Sequence, residues 1–192
     1  MESLAQEKAN LRSVLRRKRR QQDWKKLLAD SQAIGIRLLQ LPELQRAETV
    51  FCYVSCGGEV ETHRLIETLL AGGKTVVVPR CKPEGQMDCV PIAALSDLMP
   101  GAMNIPEPRM DAPSIPAAQV DFAVVPAVAC GEDGSRLGQG GGYYDRFLEK
   151  ASCEFAAICQ TEFLLPAIPC EAHDRKMKMI VTPQRVLRFE EV

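Results

Sequence analysis

Short, almost wholly apolar runs alternate with helical segments along this chain, and no other feature restricts its fold so strongly. KTVVVP at 74–79 and DFAVVPAV at 121–128 carry hardly a polar side chain. A strand with one wet face would alternate polar and apolar residues, so these runs predict strands buried on both faces. Helices between them supply that cover, which makes the sheet parallel and each connection a crossover. Further strands are expected at 49–55, 154–158, 180–182 and 186–189. Core-facing spacing predicts helices over 3–21 (Leu4, Leu11, Val14, Leu15) and 24–40 (Leu27, Leu28, Ile34, Leu38, Leu39), with Trp24 in helix packing. Leu41-Pro42 closes the second, because a residue before proline disfavours helical dihedrals. A helix over 62–71 stops at Gly72-Gly73, and another runs over about 142–150. The proline-rich stretch 81–118 reads as ordered loop with a short strand at 87–90 and a helical turn at 92–98. Together these elements predict a single α/β domain over residues 1–192, a three-layer Rossmann-like sandwich with a mostly parallel central sheet.

Composition narrows the function classes. No apolar run nears the roughly 18–20 residues of a membrane helix, and MESLAQEKAN turns basic without the apolar centre of a secretory signal. A cytoplasmic protein without a membrane partner is expected, and a monomer. A formal net charge of −1 offers no global attraction to nucleic acid. Eight cysteines lack a C-x-x-C pair and have only His63 and His173 for company. They read as structural small hydrophobes, neither zinc ligands nor disulfides. Neither histidine is assigned a role.

Two segments carry chemistry. Between Lys8 and Arg20 stand Lys8, Arg12, Arg16, Arg17, Lys18, Arg19 and Arg20. Most suit a solvated helix face, yet Lys8, Arg12 and Arg16 recur every four residues and so share one side. The other segment is VVPAVACGEDGSRLGQGGGYYDRFL at 124–148. An apolar strand enters a glycine-rich loop and leaves through an amphipathic helix, which puts the loop where parallel sheets bind ligands. Its amides can converge on an anion beside a helix N-terminus, and Arg136 adds a two-pronged cation, so phosphate is favoured over a plain flexible turn. Gly138-Gln139-Gly140-Gly141-Gly142 fits a dinucleotide fingerprint poorly, and no Walker-type loop is present. Asp145, in the helix's first turn, either complements the helix dipole or holds Mg2+ beside phosphates. Tyr143 and Tyr144 diverge by about 100° on a helix, so one is expected to face ligand, Tyr143 by preference, and the other the core.

The segment RLGQGGGYYDRFL closely resembles the signature of the 5-formyltetrahydrofolate cyclo-ligase (5,10-methenyltetrahydrofolate synthetase) family. KANLR at 8–12 is similar to that family's N-terminal K-x-x-L-R, and Glu59-Val60-Glu61-Thr62 to its E-[IV]-x-T element. VVVPR, MDCV and NIPEP resemble its middle segment and IVTP its closing strand. The resemblance implies ATP contacts at Lys8, Arg12, Arg136, Leu137, Gly138, Gln139, Gly140, Gly141, Gly142, Tyr143 and Tyr144. It implies folate contacts at Val54, Glu59, Gln139, Gly140, Gly141, Gly142 and Tyr143, with Mg2+ at Asp145. The implied reaction is ATP-dependent closure of 5-formyltetrahydrofolate to 5,10-methenyltetrahydrofolate through phosphorylation of the formyl oxygen and attack by N10. Such chemistry needs no side-chain nucleophile, and no convincing Ser-His or Cys-His arrangement is visible. Glu59 would accept from the pterin's N–H groups.

One departure from the family pattern bears on the metal. Lys178, in HDRKMKMIVT, stands where the family commonly has an acidic residue that helps hold it. Either Asp174 replaces that residue, Lys178 contacts phosphate, or metal binding is weakened. Gln139 stands where aromatic or basic residues are usual. The alternative to an enzyme is a non-catalytic folate- or nucleotide-binding relative, motivated by Lys178. An RNA-binding protein using the basic helix is disfavoured by the near-zero net charge and few clustered aromatics.

Overall fold

The computed structural model describes residues 3–101, 105–171 and 174–190, so His173 lies outside the described residues. The first half runs α1 (Leu4–Arg20), α2 (Trp24–Leu39), α3 (Pro42–Arg46), β1 (Thr49–Cys52), α4 (His63–Ala71), β2 (Thr75–Cys81) and β3 (Met87–Ile92). Next come β4 (Leu98–Pro100), β5 (Pro106–Pro108), β6 (Phe122–Pro126), β7 (Ala129–Gly131) and β8 (Arg136–Leu137). The chain ends with α5 (Tyr143–Lys150), β9 (Glu154–Ile158), β10 (Leu164–Leu165), β11 (Met179–Val181) and β12 (Val186–Arg188).

Seven strands make the main sheet in the order β12-β11-β9-β6-β1-β2-β3. The five inner strands are parallel, while β12 and β3 close the edges antiparallel. This is the mostly parallel α/β sandwich expected from the apolar runs. Alternate side chains of each strand go to opposite faces. Val50, Val76, Val78 and Val124 share a core with Ile34 and Leu38 of α2, Leu44 of α3 and Ile66 of α4. Phe51, Val77, Val125 and Phe155 share the other with Phe147 and Leu148 of α5. The Phe51 ring stacks on Phe147 with centroids 4.4 Å apart and meets Tyr144 edge-on at 6.3 Å.

A second sheet of three strands, β10-β7-β8, lies beyond the exit of β6. Val128, Ala129 and Leu137 join Phe163 and Ile168 in a third cluster that buries Leu15 of α1. The basic helix is thereby docked against a segment more than a hundred residues away in sequence. From β1 the chain moves outward on one side to β2 and β3, and from β6 it moves outward on the other, so β1 and β6 flank the topological switch.

Several details depart from the sequence-based expectation. The small sheet, the β4–β5 pair and α3 were not expected. Pro42 sits in the first turn of α3, where a missing N–H costs nothing, so the residue that stops α2 also starts α3. Trp24 is 58% exposed, and Leu4, Val14 and Leu28 also face solvent, because only one side of α1 and of α2 is covered. The helical turn expected near 92–98 is a 3-10 turn at Leu95–Asp97. Among the described residues no helix is long and apolar enough to cross a membrane.

Phe51 joins β1 to α5 and is fully buried. Phe51→Ala should lower stability by about 3–5 kcal/mol. Urea unfolding followed by circular dichroism measures it, and a loss below about 1 kcal/mol would contradict the packing described.

Candidate active site

A cleft of about 890 Å³ opens at the C-terminal ends of β1, β2 and β6. Tyr53 and Val54 follow β1, Pro79 and Cys81 come from β2, and Pro126 to Val128 leave β6. Beyond them the glycine loop 138–142 forms one wall. Gly140 (φ +102°) and Gly142 (φ +66°) adopt left-handed backbone that a Cβ would strain, and Gly142 is the N-cap of α5. The loop can therefore turn within five residues and deliver a helix N-terminus to the cleft.

Helix α1 forms the wall facing this loop. Arg12 Nε donates to the Gly138 carbonyl at 2.8 Å. Arg16 Nη2 donates to the Gln139 carbonyl at 3.0 Å and to its side-chain oxygen at 2.7 Å. One turn before Arg12, Lys8 Nζ donates to Glu171 at 2.9 Å and Asp174 at 2.5 Å. The four-residue repeat read from the sequence thus becomes a strip of cations along the loop. Burial pulls the Lys8 ammonium's pKa down, but hydrogen bonds and charge from Asp174 and Glu171 outweigh it and leave it above the usual lysine value.

Arg136 is almost wholly buried. Its Nη2 donates to Asp145 Oδ1 at 2.8 Å, its Nη1 to the Pro126 carbonyl at 3.2 Å, and its guanidinium lies 5.8 Å from the Tyr144 ring centroid. Its Nε is buried with no partner among the described residues. The fork ties the β6 exit to the first turn of α5 and orients Asp145. Dipole complementation alone therefore does not describe that aspartate.

At the far end, Glu59 accepts from the Cys56 N–H at 3.1 Å. Burial pushes its carboxyl above the usual range, opposed by that N–H, by the Arg19 charge and by the facing Gln139 amide. The turn beneath it is held by Tyr53, whose hydroxyl donates to the Val60 carbonyl at 2.8 Å. Met87, Ile105 and Pro106 make an apolar wall. Cys56 and Cys81 also line the cleft, but burial pushes both thiols up to about 11, so neither is an activated nucleophile at neutral pH.

Of the residues expected from the sequence, Lys8, Arg12, Val54, Glu59, Arg136, Gly138, Gln139, Gly140 to Gly142, Tyr143, Tyr144 and Asp145 all line this one cleft. Leu137 does not: it is fully buried in the third cluster, behind the loop it precedes. Tyr143 reaches across to donate to the Lys82 carbonyl at 3.3 Å. Tyr144 both packs on the core and lines the cleft, so the expected division between the two rings is incomplete. Met87, Ile105, Pro106, Glu107, Glu171 and Asp174 also line the cleft, and the sequence marks none of them as a ligand contact, Asp174 aside as a substitute metal ligand. The first four fall within or beside MDCV and NIPEP, where nothing local signals a ligand.

Lys178 is not at the cleft. Its Nζ donates to Glu154 at 3.1 Å and lies 5.6 Å from the Phe155 ring centroid, beside the start of β9 and so at the opposite end of the parallel sheet. Contact between Lys178 and a phosphate in the cleft is therefore ruled out by position. Asp174, by contrast, lines the cleft, ion-paired with Lys8. Among the described residues no three His, Cys, Asp or Glu side chains gather into a metal cage.

Known proteins resemble this chain over most of its length. A family model described as the 5-formyltetrahydrofolate cyclo-ligase family matches residues 4–183. The 5-formyltetrahydrofolate cyclo-ligase of Escherichia coli (strain K12) is 33% identical over 164 residues, covering 81% of this chain and 88% of the relative. A probable 5-formyltetrahydrofolate cyclo-ligase of Schizosaccharomyces pombe is 32% identical over 180 residues, covering 84% and 88%. The NMR structure of Aquifex aeolicus 5,10-methenyltetrahydrofolate synthetase is similar with a TM-score of 0.86 at 27% identity, over 96% of this chain and 94% of that one.

The position of Lys178 yields a test. Lys178→Asp sets a second carboxylate beside Glu154 and should cost about 1 kcal/mol or less in a urea melt. Titrations of ATP in Mg2+ should give the same affinity as the wild type; a tighter complex would place residue 178 at the cleft.

Proposed function

The chain belongs to the 5-formyltetrahydrofolate cyclo-ligase family, and from that premise we propose that its cleft closes 5-formyltetrahydrofolate to 5,10-methenyltetrahydrofolate at the expense of ATP. The protein is a ligase of folate metabolism. The observation that carries the reading is the convergence of Lys8 and Arg12, loop 138–142 and Glu59 on one cleft from three distant stretches of chain.

The triphosphate lies along loop 138–142 and the start of α5, where amides and the helix dipole favour an anion. Lys8 and Arg12 approach it from α1. Lys8 must share itself between phosphate and the pair Glu171 and Asp174, so ATP competes with those carboxylates for one ammonium. Arg136 acts chiefly by fixing Asp145.

Mg2+ fits this donor set as a phosphate-held ion. Asp145 Oδ1 is committed to Arg136, and its other oxygen accepts no hydrogen bond among the described residues. One carboxylate is sufficient, since Mg2+ usually takes one or two with phosphate oxygens and water filling the rest. Asp145 would hold it, and bound there it would neutralise charge on the moving phosphoryl group.

The folate lies at the other end, its pterin N–H groups donating to Glu59 and its flat ring against Tyr143, Val54 and the wall of Met87, Ile105 and Pro106. The formyl oxygen is a poor leaving group. It attacks the γ-phosphorus, the bond to ADP breaks, and N5 gains a double bond to the formyl carbon. N10 then adds to that carbon, loses its proton, and phosphate departs with the formyl oxygen. The second step is intramolecular, so the protein's part is to hold the folate bent. Protonated thiols at Cys56 and Cys81 suit a route without a covalent enzyme intermediate.

Purified protein given 5-formyltetrahydrofolate and Mg-ATP should develop methenyl absorbance, and none with either substrate withheld. No product with both present overturns the assignment. Arg136→Ala should raise the KM for ATP about tenfold with a smaller effect on folate, and Glu59→Ala the reverse. Equal effects on both substrates would contradict this division of the cleft.

A further inference from the structure

Arg19 lines no part of the cleft, yet it touches the backbone of two of its walls. Its Nη2 donates to the carbonyls of Ala127 at 2.8 Å and Val128 at 3.1 Å, where β6 ends and the cleft begins. Its stem passes so close to the turn before Glu59 that a Cβ on Gly58 would lie 2.8 Å from Arg19 Cγ. Gln22, one turn on, donates to the Gly58 carbonyl at 2.7 Å. The guanidinium also lies 5.2 Å from the Phe163 ring centroid, and its Nε is buried with no partner among the described residues. A full positive charge is thus packed behind the folate end, with one donor uncommitted.

The groups that face Glu59 come from five directions. Cys56 contributes its N–H and thiol from the same turn, and Gln139 an amide from the glycine loop. Tyr53 presents a hydroxyl after β1, Tyr144 another from α5, and Arg19 its guanidinium from α1. Arg19 is the cation in that set.

We propose that Arg19 is a positioning residue for the cyclisation: it ties the exit of β6 to the 58–59 turn and supplies the charge against which the Glu59 carboxylate is held for the pterin. This rests on the reading that Glu59 accepts from the folate. Lys8, Arg12 and Arg19 ride on one helix, so the rod that meets the phosphates also braces the folate end.

The consequence is read in pH. Burial raises the Glu59 pKa and Arg19 opposes that rise. Binding that needs the carboxylate is present above the Glu59 pKa and lost as pH falls through it, so removing the cation moves the loss to higher pH.

Folate affinity without ATP is measured by calorimetry from about pH 5 to 8, the range in which a raised carboxyl titrates, for the wild type, Arg19→Gln, Arg19→Lys and Glu59→Gln. Glutamine can still donate to a strand-exit carbonyl while removing the charge. In Arg19→Gln the acid limb should move up by about one pH unit, with affinity about tenfold weaker on that limb. Arg19→Lys should keep the wild-type limb, and Glu59→Gln should abolish it. Wild-type behaviour in Glu59→Gln would remove the underlying reading of Glu59, whatever Arg19 does. If Glu59→Gln loses the limb but Arg19→Gln leaves it in place, or if Arg19→Lys shifts it, the role given to Arg19 is wrong. Should Arg19→Gln fail to fold, the limb of Arg19→Lys decides alone: coincidence with the wild type supports the proposal and displacement overturns it.

Discussion

Burial of Leu15 is what brings the two ends of this protein together. Helix α1 precedes the first strand by more than twenty residues and takes no place in the sandwich of α2, α3 and α4 over the sheet. Its one buried leucine enters the cluster of Val128, Ala129, Leu137, Phe163 and Ile168, built on a three-stranded sheet that exists only because the chain doubles back after β6. With that side chain seated, helical geometry sets the positions of the basic residues. Lys8, Arg12 and Arg16 lie a turn apart on the neighbouring face and meet, in order, the carboxylates of Glu171 and Asp174, the Gly138 carbonyl and Gln139. Each of those hydrogen bonds is modest alone. Their common register is set by one short apolar stripe, the buried Leu15 with the partly buried Leu11 beside it, seated in that cluster.

Among the described residues, three of the charges in the cleft are compensated within it, while Arg12 meets only the Gly138 carbonyl. Lys8 is balanced by two carboxylates, Arg136 by Asp145, and Glu59 by backbone N–H and the field of Arg19. Charges half-withdrawn from water must be paired in this way, because an unpaired one is costly. A phosphate entering such a site exchanges partners and brings no new cation with it. The exchange is cheapest at Lys8, whose flexible stem carries a compact ammonium able to turn toward another anion. Arg136, nearly sealed from solvent and held at both prongs, has little such freedom. Two basic residues that look equivalent in sequence therefore divide into a mobile contact and a fixed anchor.

Much of the architecture was legible from local pattern. The apolar runs at 74–79 and 121–128 announce strands covered on both faces; both strands lie inside the sheet, β6 buried throughout and β2 buried over Val76–Val78. The glycine loop ahead of an amphipathic helix is expected at the strand ends where parallel sheets bind ligands, and it lies there. What the sequence withheld was tertiary in origin. Strands of two or three residues, such as β8 and β10, carry too few side chains for a period to register. Trp24 and Leu28 follow a helical spacing that says which residues share a side, but not which side a neighbour will cover. Leu137 belongs to the loop's motif by position, yet its side chain points into the third cluster, as the residue after Arg136 on a two-residue strand must if Arg136 faces the cleft. Arg19 is one of seven basic residues on a helix, and only its tertiary contacts, with the β6 exit and the 58–59 turn, separate it from its neighbours.

The two departures from the family's habits have different physical weight. Lys178 sits beside Glu154 at the far end of the sheet, where a lysine and a glutamate satisfy one another and the cleft is untouched. Gln139 lies in the cleft itself, at a point where a basic or aromatic residue is usual. Here its side-chain oxygen accepts from both Nε and Nη2 of Arg16, which leaves the amide nitrogen to face Glu59. A basic residue at 139 would put its own charge on the glycine loop, facing Glu59. With glutamine there, the carboxylate meets a neutral amide on the loop side, and the cation whose charge reaches it is Arg19 of helix α1. The chain thus keeps a positive field at Glu59 without a cation on the glycine loop, and the residue that supplies it is Arg19.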